Sequence, residues 1–315
     1  MTSGQRRFTR QRLVNGVQTA LIMGGLALTL SLPGYLLAGL GGVLIGLSAV
    51  TVATLATSRV PARLILTQAG AGRLAPSQAP EIHALLARLY ARAGLRSPPQ
   101  LYYAATPELN AFAVGGPRDG GIAITEGLLR SLTLRELAGV LAHEVSHLRH
   151  GDTRVMSIAA TMTRLTLWLT SAIQLAILFS LPLMLAGDVT MPWLTLLVVA
   201  FAPTLSTLLS LALSRQREYT ADLEAAALTG DPKGLMSALM VLERQHGRWL
   251  SSLFGRQRPA ALEWLRTHPD TRERIRRLAE LDDDRHGPPL TTTPTRAAIP
   301  RRPPPLRSGD WRRRS

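Results

Sequence analysis

Residues 137–151 read LAGVLAHEVSHLRHG, and the reading of the whole chain turns on them. Inside the stretch lies His143-Glu144-Val145-Ser146-His147, the H-E-x-x-H spacing of helix-borne zinc sites. Residues four apart share a helix face, so His143 and His147 can offer two imidazoles to one ion. Glu144 falls beside such an ion rather than under it, where a carboxylate can take a proton from water without being a ligand. The helix is predicted independently of the motif. Thr133 and Glu136 form a T-x-x-E capping box. Leu134, Leu137, Val140, Leu141 and Leu148 recur at helical spacing. Arg149 and His150 put cations in the last turn, and Gly151 is a natural C-cap. For these residues alone, a capped helix with two surface histidines is the plain alternative.

Of the 315 residues, 46% are hydrophobic, and the mean hydropathy is +0.12. So apolar a chain with this much charge points to membrane segments. It has no cysteine, which rules out disulfides and thiolate metal sites, so any metal must be held by His and carboxylate. The net charge of +15 is mostly terminal: residues 1–12 carry +4, and 285–315 carry +7. Basic ends suit a lipid surface better than a nucleic-acid groove, and no nucleic-acid-binding motif accompanies them.

Taken in order, residues 1–12 form a basic N-terminal segment. Residues 13–57 hold two uncharged apolar runs, separated by Pro33-Gly34 and each near the ~20 residues of a spanning helix. Residues 58–154 are mixed. Pro80–Ala93 reads as an amphipathic helix, and residues 101–103, 111–114 and 121–125 read as short strands, the last two as a hairpin. Residues 155–213 hold a second pair of apolar runs, joined by Gly187–Pro192 without Lys or Arg. Residues 214–285 are polar and helical in pattern. Residues 286–315 form an Arg- and Pro-rich tail, expected to be disordered. Basic residues flank the spans at 1–12, 59–73, 149–154 and 215–217 and are missing from 33–34 and 187–192. The positive-inside rule then places both termini and the motif-bearing segments in the cytoplasm.

A catalytic zinc site needs three protein ligands and an open position. Just after the fourth apolar run, Glu218 and Asp222 stand four apart in EYTAD and can share a helix face. We assign Glu218 as the candidate third ligand. Asp222 is the candidate acceptor for the free N–H of a ligand imidazole. Alone, the pair would equally be an exposed acidic helix face.

The pieces together resemble the HtpX-like membrane zinc metalloproteases, relatives of the prenyl-protein endopeptidases. The likeness runs from about residue 10 to 280, through NAFAVGG at 110–116, ITEGLL at 124–129, HEVSHLRHGD at 143–152, EYTAD at 218–222 and THPDTRERI at 267–275. It implies one zinc ion per chain at His143, His147 and Glu218, with Glu144 as general base. It also implies a cytoplasm-facing site and a role in membrane-protein quality control. Asn110, Ala111, Phe112 and Ala113 look like an edge strand that binds extended substrate. His268 resembles a family histidine that could donate to the oxyanion, although a helix-start His accounts for it nearly as well.

The expected fold is a mainly α integral membrane protein. It has four transmembrane helices and a cytoplasmic α+β zincin-like domain with a small β-sheet. The expected partners are polypeptide or membrane-protein substrates and the lipid bilayer, without nucleic acid. The sequence sets no oligomeric state. Competing readings are a narrow-specificity protease, for prenylated peptides or signalling, and a non-catalytic membrane scaffold with a vestigial metal site.

Overall fold

The computed structural model describes residues 3–58, 60–96, 99–186, 193–250 and 271–282. The chain divides into two units. One is built from Met1–Arg59 and Arg154–Arg217, the other from Val60–Thr153 and Glu218–Ser315.

Three long helices supply the first unit: α1 (Ser3–Ser58), α6 (Asp152–Leu185) and α7 (Trp193–Thr229). All three contain stretches long and apolar enough to cross a membrane. The helix α1 is broken at Ala38 (φ −146, ψ 27) and Gly39 (φ 56, ψ −144), and there it doubles back on itself. A Cβ on Gly42 would collide with the Gly34 carbonyl, and one on Gly46 would touch Leu30. In a straight helix residues 34 and 42 would lie about 12 Å apart. The break is not at Pro33-Gly34, where the sequence separates the two apolar runs. Pro33 lies inside the first leg, because a proline removes one hydrogen bond and bends a helix without having to end it. The reversal needs a positive φ, which Gly39 supplies at no steric cost.

Leu26, Leu30 and Val50 from the two legs bury against Ala159, Met162 and Leu213. Polar groups inside this unit find partners: the Ser206 hydroxyl of α7 meets Thr163 of α6 at 3.1 Å, and Thr166 and Thr170 bond to carbonyls one turn back. Large apolar side chains such as Trp168, Phe179, Leu185 and Phe201 point outward. A water-facing helix would not present such a surface.

The second unit begins with α2 (Ala62–Gln68), β1 (Gly72–Arg73), α3 (Pro80–Arg92) and β2 (Gln100–Ala104). The hairpin of β3 (Ala111–Val114) and β4 (Gly121–Thr125) follows, then α4 (Glu126–Ser131) and α5 (Leu134–His150). The end of α7, α8 (Pro232–Leu250) and α9 (Thr271–Asp282) complete it. The sheet order is β1-β2-β4-β3; β4 pairs parallel with β2 and antiparallel with β3. Alternate residues face opposite ways, as the period of two requires. Leu101, Tyr103, Ile122 and Ile124 enter the main core with α3 and α5, while Tyr102, Ala104 and Ala123 pack on Ala62 and Leu66 of α2. The three strands and the amphipathic helix expected from sequence are all present. The short elements α2, α4 and β1 carry too few residues to show a period and were not anticipated.

Candidate metal centre

The helix α5 is held at both ends by the chemistry its sequence announces. Thr133 caps it: the Glu136 N–H donates to the Thr133 hydroxyl, and the Thr133 N–H donates to the Glu136 carboxylate at 2.8 Å. Gly151 closes it in the left-handed conformation at φ 65. Between the caps, Leu137 to Leu148 are all buried. Gly139 lets α8 come close, since a Cβ there would lie 2.8 Å from the Leu235 Cα. The result is a fixed rod with His143 and His147 on one face.

The last turns of α7 bring Glu218 to that face. His143 Nε2 and His147 Nε2 lie 3.1 Å apart. The Glu218 carboxylate oxygens lie 3.4 Å from the first and 3.6 Å from the second. Four tetrahedral ligands with bonds of about 2.0–2.1 Å sit about 3.3 Å from one another. The two imidazole nitrogens thus stand at about the spacing of two corners of a zinc-sized tetrahedron, each faced by one of the two Glu218 oxygens, and one ligand atom from each of the three residues lies within 4.8 Å of the others. The group is buried, and it is the one cluster among the described residues with metal-binding geometry.

The far nitrogens of the imidazoles fix their tautomers. His143 Nδ1 donates to Asp222 at 3.0 Å, and His147 Nδ1 donates to Asp152 at 2.7 Å. Each Nε2 thereby faces the other and Glu218, the atoms a metal ion would take once their protons are displaced. Asp222 is the residue the sequence reading named as a candidate acceptor for an imidazole N–H, and here it lies 3.0 Å from His143 Nδ1. Asp152 was missed: it is the first residue of α6, where an Asp reads as a helix-start acid, and only the left-handed turn at Gly151 folds it back onto His147.

Arg274 of α9 was also missed. Its guanidinium forks onto Asp222 at 2.7 and 2.6 Å and reaches Glu218 at 3.2 Å, and the side chain is buried. In the sequence it lies within the quoted stretch at 267–275, but as one of 36 Lys and Arg residues it shows no spacing that ties it to Asp222 or Glu218.

The acids around the pair favour positive charge there. Burial works against protonating His147, but Asp152 and Glu218 outweigh it and hold its pKa up at about 10. Burial opposes protonation of His143 too, and Asp222 and Glu218 again prevail. A dication at the same place would meet the same field. Glu144 is buried on α5, one residue past His143. His150 is not part of the donor set; its Nδ1 faces Glu224 at 3.0 Å. The strand β3, with Asn110 just before it, runs beside α5 at the end of the sheet order, with no strand on its outer edge among the described residues. His268 lies outside the described residues.

Three helices long and apolar enough to cross a membrane, together with a buried His-His-Glu group that could hold a metal ion, are the features that a membrane metalloprotease requires. Residues 76–282 match Peptidase family M48, and the chain belongs to this family. It is 35% identical over 285 residues to the Protease HtpX homolog of Acaryochloris marina, covering 85% of this chain and 95% of that one. The Protease HtpX homolog of Pyrococcus abyssi is 32% identical over 278 residues, covering 84% and 95%. The crystal structure of S. mikatae Ste24p shares the fold at a TM-score of 0.50 and 19% identity, covering 86% of this chain and 66% of that longer one.

Proposed function

We propose that the protein is a zinc-dependent endopeptidase of the membrane that degrades misfolded or damaged membrane proteins from the cytoplasmic side. The observation that carries this reading is the convergence of His143, His147 and Glu218 at ligand spacing, with Glu144 buried on the same helix. Two imidazoles and a carboxylate suit zinc, and they leave one position open for water or substrate. When bound, zinc polarises the scissile carbonyl and acidifies the attacking water. The Glu144 carboxylate takes that water's proton and delivers it to the departing amine nitrogen. Asp222 and Asp152 hold the imidazoles in the required tautomer. Substrate lies extended along β3, from Asn110 through Ala113, pairing through backbone groups. A strand edge selects little for side chains, which suits a protease of damaged proteins. His268 is assigned to oxyanion donation.

The two legs of α1, with α6 and α7, give four crossings. The Lys and Arg bias then places both termini and the metal centre in the cytoplasm.

The test uses detergent-purified protein with zinc quantitation and degradation of an unfolded protein. Wild type should carry about one zinc per chain and cleave. Glu144→Gln should keep the zinc and lose cleavage. Full proteolysis by Glu144→Gln would remove Glu144 from the mechanism. Cleavage of prenylated peptides alone would replace the quality-control assignment with the narrow-specificity one.

A further inference from the structure

The ligands come from two helices, so the site exists only if α5 and α7 meet in one rotational register. On α7, Glu218 and Asp222 lie on one flank of the contact with α5. At about 100° per residue, Glu224 lies on the other flank, with Ala221 and Ala225, both fully buried, between the two. On α5, His143 and His147 lie on the first flank, while Ser146 and Arg149 lie on the second.

Glu224 is buried at 4% exposure, and its carboxylate takes donors from the last two turns of α5. The Ser146 hydroxyl donates to Oε2 at 2.8 Å, His150 Nδ1 lies 3.0 Å from the same oxygen, and Arg149 pairs with Oε1. Ser146 sits inside the H-E-x-x-H segment itself. The helix is thus gripped from both sides: by the metal-facing acids on one flank and by Glu224 on the other. Rotation of α5 about its axis would carry the imidazoles away from Glu218, and it would first have to break the Glu224 bonds.

From this geometry we infer that Glu224 is a positioning residue for the metal centre, setting the register of α5 against α7 so that both imidazoles face Glu218. The inference rests on the proposal that His143, His147 and Glu218 hold zinc. A buried carboxylate that accepts from Ser146 and Arg149 and faces His150 is a rigid stop, because moving it leaves charge unpaired in the interior. Glu224 is not one of the three candidate ligands and acts through Ser146, Arg149 and His150.

The test uses the full chain in detergent, with zinc affinity measured by chelator competition and the visible absorption spectrum of the Co2+-substituted protein. Glu224→Ala should weaken zinc binding by about 10- to 100-fold, the range for partners that orient metal ligands, and should alter the Co2+ spectrum. Ser146→Ala, which removes one donor, should move both readouts in the same direction by less. Glu224→Gln keeps the shape and should restore part of the affinity. Should Glu224→Ala fail to fold, Ser146→Ala and Glu224→Gln carry the test. Unchanged affinity and spectrum in the folded variants, with only a lower melting temperature, would overturn the inference. Wild type that takes up neither zinc nor Co2+ would instead overturn the metal reading on which it stands.

Discussion

Arg274 shows how one side chain can hold a site together. It is a buried cation that neutralises Asp222 and leans on Glu218, joining α9 to the acid that orients His143 and to the third candidate ligand. Removing one partner of a buried pair leaves a bare charge in the interior and costs about 3–5 kcal/mol. Arg274→Met should therefore lower the melting temperature sharply in detergent, far more than Arg276→Met, whose partner Glu273 it meets on the surface. Equal melting temperatures for the two variants would mean that the buried fork adds no stability. Asp152 and Arg274 fall inside stretches that carry the family likeness, at 143–152 and 267–275, but nothing there assigned either a role, and Glu224 lies outside those stretches. Their roles depend on where a distant segment folds, and an isolated Arg, Asp or Glu carries no periodic signal. His143, His147 and Glu144 were legible because their spacing and their chemistry lie on one helix.

At the scale of the element, α5 is the best-specified part of the chain, and its packing explains why. Gly139 weakens the helix in isolation, and Ala there would favour it by about 1 kcal/mol. Yet a Cβ at that position meets the Leu235 backbone at 2.8–2.9 Å, and overpacking of this kind costs about 1–3 kcal/mol. The collision wins, so Gly139→Ala should destabilise the protein in a thermal melt.

The start of α5 is also tied to α8. Arg135 forks onto Asp231 at 2.6 and 2.8 Å, and Ser237 donates to Glu136 at 2.6 Å. Burial raises the pKa of Asp231, but Arg135 and the Gly234 N–H outweigh it and hold the carboxyl below its ordinary value. Glu136 is lowered in the same way: burial raises it, and Ser237 and Thr133 prevail. A depressed carboxylate stabilises the fold above its unfolded pKa of about 4, and that contribution is lost as pH falls through the folded value. Melting temperature should drop as pH is lowered from about 5 toward 2, and Asp231→Asn should flatten the slope. An unchanged slope would remove Asp231 from the acid response.

At the scale of the whole molecule, three long apolar helices carry large outward-facing side chains, and water cannot cover that surface cheaply. The absence of cysteine makes topology directly measurable. Single variants Ala186→Cys, at the end of α6, and Ser77→Cys, exposed between β1 and α3, should react oppositely with a membrane-impermeant thiol reagent in intact cells. Ala186→Cys should label and Ser77→Cys should not. Labelling of both from the same side would overturn the orientation.

Local order was written in the chain itself. The capped helix, the hairpin strands, the apolar runs and the pair of imidazoles each arise from neighbours within a few turns, where spacing and chemistry act directly. The position of the bend in α1 was not, because proline and glycine both permit a break and only the packing of the two legs selects Gly39. The completed centre was not either. Glu218 stands 71 residues beyond His147, and Arg274 lies farther still. Burial in one core, and the pairing of charges that burial enforces, brought them to the same few ångströms.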